Sequence, residues 1–151
     1  MIAKDVKLEP LKILIVEDEA LLAMELEDIV HDAGHTVVGS AVSFREATDV
    51  LSSEEPDIAL VDINLSDGPT GIDVARYIGE HCRSTVVFLT ANPKRIPGDF
   101  AGALGVIAKP YTVHGLMAAL QYLEEGVRRP PPAARCPIGF SLSPAYSTIW
   151  G

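Results

Sequence analysis

Four short apolar runs in the sequence each end in a polar residue of a different kind. ILIV precedes Glu17 and Asp18, IALV precedes Asp62, VVFL precedes Thr90, and GVIA precedes Lys109. Short runs of branched apolar residues are typical of buried strands. If these strands are parallel, their carboxyl ends meet at one crevice of the sheet. The sequence therefore predicts a site that combines three carboxylates, one hydroxyl and one ammonium group.

This combination predicts phosphoryl-transfer chemistry. Three carboxylates that lie close together repel one another and raise each other's pKa unless a cation joins them. Carboxylate oxygens and waters suit Mg²⁺, which prefers octahedral oxygen coordination. The Asp62 carboxylate could attack phosphorus to form an aspartyl phosphate. The Thr90 hydroxyl and the Lys109 ammonium would then stabilise the charge on the phosphoryl oxygens.

Strands and helices alternate from about residue 11 to residue 126, and this alternation predicts how the site is built. Helical spacing of apolar residues favours helices over 20–33, 44–53, 71–81 and 112–124. Strands are predicted over 11–16, 36–42, 58–61, 85–89 and 106–108. The fourth helix is predicted to be short, near 99–104, because Pro93, Pro97 and Gly98 crowd its start. Parallel strands need crossover connections, so we expect an α/β fold with a doubly wound, five-stranded parallel sheet and helices on both faces.

Composition limits the possible partners of this domain. The chain has 151 residues, of which 48% are hydrophobic and 22% charged, as in an ordinary soluble globular domain. Its net charge of -9 disfavours binding to nucleic acid. No apolar stretch approaches the roughly 20 residues that span a bilayer, and the first ten residues lack a signal-peptide core. Cys82 and Cys136 match no zinc or CxxC spacing. We expect a cytoplasmic protein without nucleic-acid or membrane partners.

The strand-end residues resemble a known family, the receiver domains of two-component response regulators. The resemblance covers about residues 11–126. It rests on an acidic pair after the first strand, an aspartate ending the third, a threonine ending the fourth and a Lys-Pro pair after the fifth. These are Glu17, Asp18, Asp62, Thr90, Lys109 and Pro110. The segment from Asp62 to Asp73, in which Gly71 opens the third helix, also resembles the loop that follows the phosphoacceptor in that family.

The resemblance implies a flavodoxin-like receiver fold and a specific function. Asp62 would accept a phosphoryl group from a sensor histidine kinase or a histidine phosphotransfer protein. The protein would then be a phosphoacceptor that catalyses its own phosphorylation, not an enzyme in the usual sense. The Lys109-Pro110 bond would be cis and would direct the lysine inward. The implied Mg²⁺ ligands are Glu17, Asp18, Asp62 and the backbone carbonyl of Asn64.

Three features depart from the family pattern or modulate it. Val106 stands three residues before the lysine, where many receivers carry an aromatic switch residue, so the usual switch is in doubt. Tyr111, two residues after the lysine, is expected to pack against the last helix. Asn64 and Asn92 lie two residues beyond the phosphoacceptor and the strand-end threonine, beside the path of the hydrolytic water. Because an amide is a poor general base, we predict slow autodephosphorylation.

Other functions for the same residues remain open. An aspartate-nucleophile phosphatase would need a second aspartate two residues after Asp62, where this sequence has Asn64. A nucleotide-binding module would need glycines in the first strand-helix turn, and residues 16–20 contain none. A third alternative is a receiver-fold adaptor that is never phosphorylated. For such an adaptor, Asp62→Asn would change neither signalling nor labelling by a phosphodonor.

The sequence divides into an N-terminal extension (1–10), a receiver domain (11–126), and a Pro-rich hinge with an apolar tail (127–151). We expect no separate output domain, and so signalling through protein contacts. The tail carries aromatic residues that disordered segments usually lack. It could fold back on its own domain or reach a second copy as an exchanged arm, and we favour the exchanged arm and a homodimer. The face formed by the predicted fourth helix, fifth strand and fifth helix is an alternative dimer surface.

Overall fold

One six-stranded sheet organises the protein in this computed structural model, which describes residues 9–151. Most of the predicted N-terminal extension lies outside the described residues. The strands are β1 (Lys12–Val16), β2 (Thr36–Ala41), β3 (Ile58–Asp62), β4 (Thr85–Thr90), β5 (Gly105–Ala108) and β6 (Phe140–Leu142). Their order in the sheet is β2-β1-β3-β4-β5-β6. The first five strands are parallel to one another, and β6 is antiparallel to β5.

Helices cover both faces of the sheet. They are α1 (Ala20–Asp32), α2 (Phe44–Leu51), α3 (Gly71–His81), α4 (Val113–Arg128) and α5 (Pro144–Ser147). Successive residues of a strand point to opposite faces, so Ile13 and Ile15 pack with α1 and α4, whereas Leu14 and Val16 pack towards α2 and α3. This doubly wound arrangement confirms the predicted fold class. None of the helices in residues 9–151 has the length and apolarity needed to cross a membrane.

The short fourth helix predicted near 99–104 is reduced to a single 3-10 turn, and no α-helix forms in this stretch. Two short 3-10 turns, Pro93–Arg95 and Phe100–Gly102, connect β4 to β5 instead. Phe100 and Ala101 have φ values of 55° and 51°, and Gly102 has 83°. Left-handed backbone cannot continue a right-handed helix. The predicted fifth helix is α4, which extends to Arg128.

The C-terminal tail folds back on its own domain, which corrects both the exchanged-arm interpretation and the count of five strands. Its strand β6 pairs with the edge of β5, where Phe140 lies opposite Ile107 and Leu142 lies opposite Gly105. A Cβ atom on Gly105 would fall 2.3 Å from the backbone oxygen of Ser141. The glycine therefore allows the tail to approach the sheet.

Aromatic side chains join the tail to α4. The ring centroid of Tyr122 lies 5.5 Å from that of Phe140 and 5.8 Å from that of Trp150, in edge-to-face geometry. Trp150 is only 9% exposed, and Tyr122 is almost completely buried. Such pairs add a favourable geometric term to the burial of a large apolar area. The tail thus completes the core on the α4 side of the sheet.

Candidate functional site

Three carboxylates meet at the carboxyl ends of β1 and β3. Val16 pairs with Val61 in the sheet, so the residues that follow, Glu17 and Asp62, end neighbouring strands. One oxygen from each of Glu17, Asp18 and Asp62 lies within 4.8 Å of the others. Glu17 and Asp62 are buried, whereas Asp18 is exposed. The cluster is therefore open to solvent on one side only.

Lys109 joins the two buried carboxylates. Its Nζ lies 2.8 Å from Glu17 Oε1 and 2.9 Å from Asp62 Oδ2, and it donates a hydrogen bond to each. Its backbone N–H donates to the carbonyl oxygen of Thr90 at 2.9 Å. The bond to Pro110 is cis. The two side-chain hydrogen bonds place the lysine ammonium in the crevice at the end of β5.

The electrostatics of the crevice favour a bound cation. Burial raises the pKa of Glu17, although the hydrogen bond from Lys109 offsets part of this effect. Burial alone would lower the pKa of Lys109, but its hydrogen bonds to Glu17 and Asp62 outweigh burial and raise it. The pKa of Glu17 is thus raised mainly by burial, and that of Lys109 is raised by the two carboxylates that accept its hydrogen bonds. The hard oxygen donors and the residual negative charge fit a divalent cation such as Mg²⁺.

Thr90 lies at the end of β4 and is 2% exposed. Its Oγ1 accepts a hydrogen bond from the backbone N–H of Asn92 at 2.9 Å. Because a hydroxyl can accept and donate at once, Thr90 still has its own proton to give to an anion in the crevice. Asn92 and Asn64 are both exposed at the rim.

The loop that carries Asn64 is anchored by Asp67, a residue that the sequence interpretation missed. The Asp67 carboxylate accepts hydrogen bonds from the Thr70 hydroxyl, at 2.6 Å, and from the backbone N–H of Phe44. The hydrogen bond from Thr70 is the main cause that lowers the pKa of Asp67. An Asp three residues before a Thr at a helix start is the signal that could have indicated this contact.

Gly71 allows α3 to begin directly against the end of β3. Its N–H donates to the carbonyl oxygen of Ile63 at 2.9 Å. A Cβ atom at this position would fall 2.0 Å from the backbone oxygen of Asp62 and 2.6 Å from the Cα of Ile63. Only glycine permits this approach, so Gly71 lets α3 pack against the backbone that directly follows the phosphoacceptor candidate.

Val106 and Tyr111 lie on either side of the lysine in sequence but in different surroundings. Val106 is buried with the α2 and α3 side of the core. Tyr111 packs against the α1 and α4 side, and its buried hydroxyl has no hydrogen-bond partner among the described residues. Burial raises the pKa of Tyr111 to about 12. A pocket of about 350 Å³ adjoins it, lined by Leu22, Glu25, Ala91, Lys109, Pro110 and Tyr111.

The fold and the strand-end cluster are those of a signalling receiver, and comparison with known families agrees. The sequence model of the response regulator receiver domain matches residues 13–121. The chain belongs to this family.

Two regulators are similar over most of this chain. It is 36% identical to the phyllosphere-induced regulator PhyR of Methylorubrum extorquens over 123 residues, which cover 78% of this chain and 46% of that protein. It is 31% identical over 115 residues to the transcriptional regulatory protein PdtaR of Mycobacterium tuberculosis, covering 74% and 56%. The chain therefore spans about half the length of these relatives.

Solved structures of PhyR proteins share the fold. The receiver domain of Erythrobacter litoralis PhyR superposes with a TM-score of 0.71 at 31% identity, covering 83% of this chain and 97% of that one. PhyR from Brucella abortus gives a TM-score of 0.68 at 32% identity, covering 79% and 51%. A double mutant of PhyR from Bartonella quintana, described as an anti-anti-sigma factor, gives a TM-score of 0.65 at 34% identity, covering 72% and 46%.

Proposed function

We propose that this receiver accepts a phosphoryl group on Asp62 in a Mg²⁺-dependent reaction and transmits the signal through protein contacts. The observation that carries the proposal is the position of Lys109 Nζ, between Glu17 Oε1 and Asp62 Oδ2 at the mouth of the crevice. An adaptor that is never phosphorylated would have no need to bury two carboxylate groups beside one lysine, with a third carboxylate at the exposed side, because such clusters cost free energy to maintain.

The proposed reaction is a displacement at phosphorus. Lys109 holds one oxygen of Asp62, and the other oxygen attacks the phosphoryl group. A P–O bond forms to Asp62 as the P–N bond to the donor histidine breaks, and the imidazole leaves. Lys109 and the Thr90 hydroxyl then stabilise the negative charge on the phosphoryl oxygens, which is the main requirement of phosphoryl transfer.

The metal would be held by Glu17, Asp18 and Asp62, with the backbone carbonyl of Asn64 as a further ligand. When bound, Mg²⁺ offsets the charge of the incoming phosphoryl group and orients it. Asp18 is the exposed member of the set, so it offers the entry route for the ion. Glu17 shares its oxygens with Lys109 and with the backbone N–H of Glu19.

The proposed phosphodonor is a sensor histidine kinase or a histidine phosphotransfer protein. The first helix and the start of α4 carry exposed apolar side chains close in sequence to the residues that line the pocket beside Lys109. They are Leu21 and Met24 on α1, which are 81% and 59% exposed, and Val113 at the start of α4, which is 57% exposed. Apolar groups around a charged crevice suit a protein donor that delivers its histidine to Asp62.

The alternatives differ in what they need at position 64. The aspartate-nucleophile phosphatase would need an acid there, and the exposed amide of Asn64 cannot supply a proton. With amides at positions 64 and 92, we expect the phosphoryl group to persist, because neither side chain activates a hydrolytic water.

Homodimerisation stays a prediction. Its two expected surfaces are altered, since the tail is docked and the predicted fourth helix is replaced by turns.

Labelling with acetyl phosphate and Mg²⁺ tests the proposal. We expect one acid-labile phosphate on the wild-type chain, none on Asp62→Asn, and normal labelling of the control Asp73→Asn, which alters an exposed aspartate on α3. The label should decay over minutes or longer. Failure to label the wild-type chain would favour the adaptor, and decay within seconds would refute the slow autodephosphorylation.

A further inference from the structure

The end of β5 is held by main-chain hydrogen bonds on both of its sides. The N–H of Ala108 donates to the carbonyl oxygen of Gly139 in the tail at 3.0 Å. The next N–H, that of Lys109, donates to the carbonyl oxygen of Thr90 at 2.9 Å. Consecutive amides of a strand point in opposite directions. The backbone that carries the lysine is therefore fixed by β4 on one side and by the tail on the other.

Two glycines of the receiver are adapted to the docked tail. A Cβ atom on Gly105 of β5 would meet the backbone oxygen of Ser141. A Cβ atom on Gly126 of α4 would fall 2.2 Å from the indole ring of Trp150. Glycine weakens a helix interior relative to alanine, so its presence in α4 needs a reason, and the seat for the indole ring supplies one. The receiver domain thus contributes to tail docking through these two glycines, in addition to the contacts that the tail residues make.

Further hydrogen bonds hold the tail along α4. The Glu125 carboxylate, through Oε1, accepts from the backbone N–H groups of Ala133 and Ala134 at 3.0 and 2.9 Å. The backbone N–H of Ser143 donates to the carbonyl oxygen of Leu104 at 2.8 Å, just before β5 begins. The tail therefore holds β5 at both ends.

We propose that the docked tail is a positioning element for Lys109, and that tail docking and phosphorylation of Asp62 are coupled. This inference rests on the proposed function. Without the docked tail, β5 would be an edge strand. Ala108, the residue before the lysine, would then lose the hydrogen bond from its N–H to the carbonyl oxygen of Gly139. The lysine ammonium must reach a phosphoryl oxygen to within a few tenths of an ångström, because small misplacements of a charged group are costly in transfer reactions.

The coupling acts in both directions. If the docked tail favours the inward position of Lys109, a phosphoryl group that engages Lys109 must favour the docked tail by the same factor. The tail would then report the phosphorylation state on a surface away from the crevice. If the tail only stabilised the fold, its docking would not respond to the phosphoryl group. That difference distinguishes a stabilising role from the proposed coupling.

Trp150 is the only tryptophan in the chain, so its fluorescence reports tail docking in the unmodified protein. We expect acrylamide to quench it less after addition of Mg²⁺ and acetyl phosphate. Asp62→Asn should show no change. Quenching of the wild-type chain that stays the same or increases, while acid-labile phosphate is present, would overturn the coupling. Absence of acid-labile phosphate would instead count against the proposed function.

The reverse direction uses a matched pair of helix glycines. Gly126→Ala displaces the indole ring, whereas Gly79→Ala makes the same change in α3, where no atom lies within 4 Å of the added Cβ. We expect Gly126→Ala to lower the rate of labelling by acetyl phosphate by about fivefold or more, because misplacing a reacting group by 1 Å can cost on the order of 100-fold in rate. Gly79→Ala should label normally.

Two further variants separate positioning from stability. Ile78→Val removes a buried methyl group from the α3 side of the core, and it should lower stability without slowing the labelling. Trp150→Ala frees the tail by a different change and should slow labelling as Gly126→Ala does. Normal labelling by both tail variants, with hydrogen exchange showing β6 released, would overturn the proposal.

Discussion

The indole ring of Trp150 lies directly on the backbone of Gly126, 24 residues earlier in the chain, at a distance that leaves no room for a side chain. Trp150 also meets the ring of Tyr122, one turn back on the same helix. A tail that packs in this way is part of the domain core. Its contribution can be measured at the glycine without changing the aromatic residues themselves.

We predict that Gly126→Ala destabilises the protein even though alanine favours helix. Overpacking against the indole ring should cost about 1–3 kcal/mol. Gly79→Ala, at an exposed position of α3, should instead raise stability by about 0.5–1 kcal/mol. Urea unfolding of both variants measures the two changes, and equal shifts would contradict the packing of the tail.

A second prediction concerns Gly71→Ala. The added Cβ would meet the backbone oxygen of Asp62 and the Cα of Ile63, and backbone cannot move aside without separating α3 from β3. We expect a loss of about 1–3 kcal/mol or more in the free energy of unfolding, with slower labelling of Asp62 by acetyl phosphate. Gly98→Ala, where the Cβ meets open space, is the control and should behave like the wild-type chain.

A third prediction separates metal binding from stability. Asp18→Asn removes the exposed carboxylate of the cluster and part of its mutual repulsion, so the metal-free protein should unfold at an equal or higher temperature. Its Mg²⁺ affinity should fall by at least about 100-fold, because loss of outer-shell partners alone often costs 10–100-fold. Calorimetric titration with Mg²⁺ checks this, and unchanged affinity would remove Asp18 from the ligand set.

A fourth prediction follows from the buried Tyr111 hydroxyl. Its folded-state pKa is raised to about 12 from 10, so the stability it contributes is complete below pH 10 and is lost as the pH rises from 10 towards 12. Tyr111→Phe has no hydroxyl to ionise, so it should not lose stability in this pH range for that reason. It also leaves no unpaired polar atom at this position. Its Tm should match or exceed that of the wild-type chain at pH 7, and the difference should grow above pH 10.

Thermal unfolding at several pH values tests this difference. Tyr77→Phe, a tyrosine on α3 that stacks on His81, serves as the control. If Tyr111→Phe unfolds at a lower temperature than the wild-type chain at neutral pH, the hydroxyl has a partner in solution, and the expected alkaline difference should then be absent.

Much of the fold followed from local patterns. Apolar runs ending in polar residues located β1, β3, β4 and β5, and helical spacing located α1, α3 and α4. Parallel pairing then implied that Glu17, Asp62, Thr90 and Lys109 would share one edge. Each of these inferences depends on periodicity or on a rule for parallel sheets, and both act over short stretches of sequence.

Two features depended on contacts that periodicity does not describe. The β4–β5 connection contains consecutive left-handed residues at Phe100 and Ala101, a conformation that their residue types do not favour. The alternation of Ile138, Phe140 and Leu142 with small residues indicates strand character around β6, but it does not indicate which sheet edge the strand joins, and its docking depends on the absence of a side chain at Gly105. The hydrogen bonds of Lys109 to both Glu17 and Asp62 likewise required the tertiary structure.

The short β6 strand also bears on how these molecules behave at high concentration. Unpaired edges of apolar strands are templates for sheet-to-sheet aggregation, and β5 would present such an edge. Instead, β6 forms the edge of the sheet. This strand has only three residues, and Pro137 and Pro144 lie close to its two ends. Proline cannot donate to a further strand. The C-terminal segment thus ends the growth of the sheet, and its loss would favour fibrous or amorphous association.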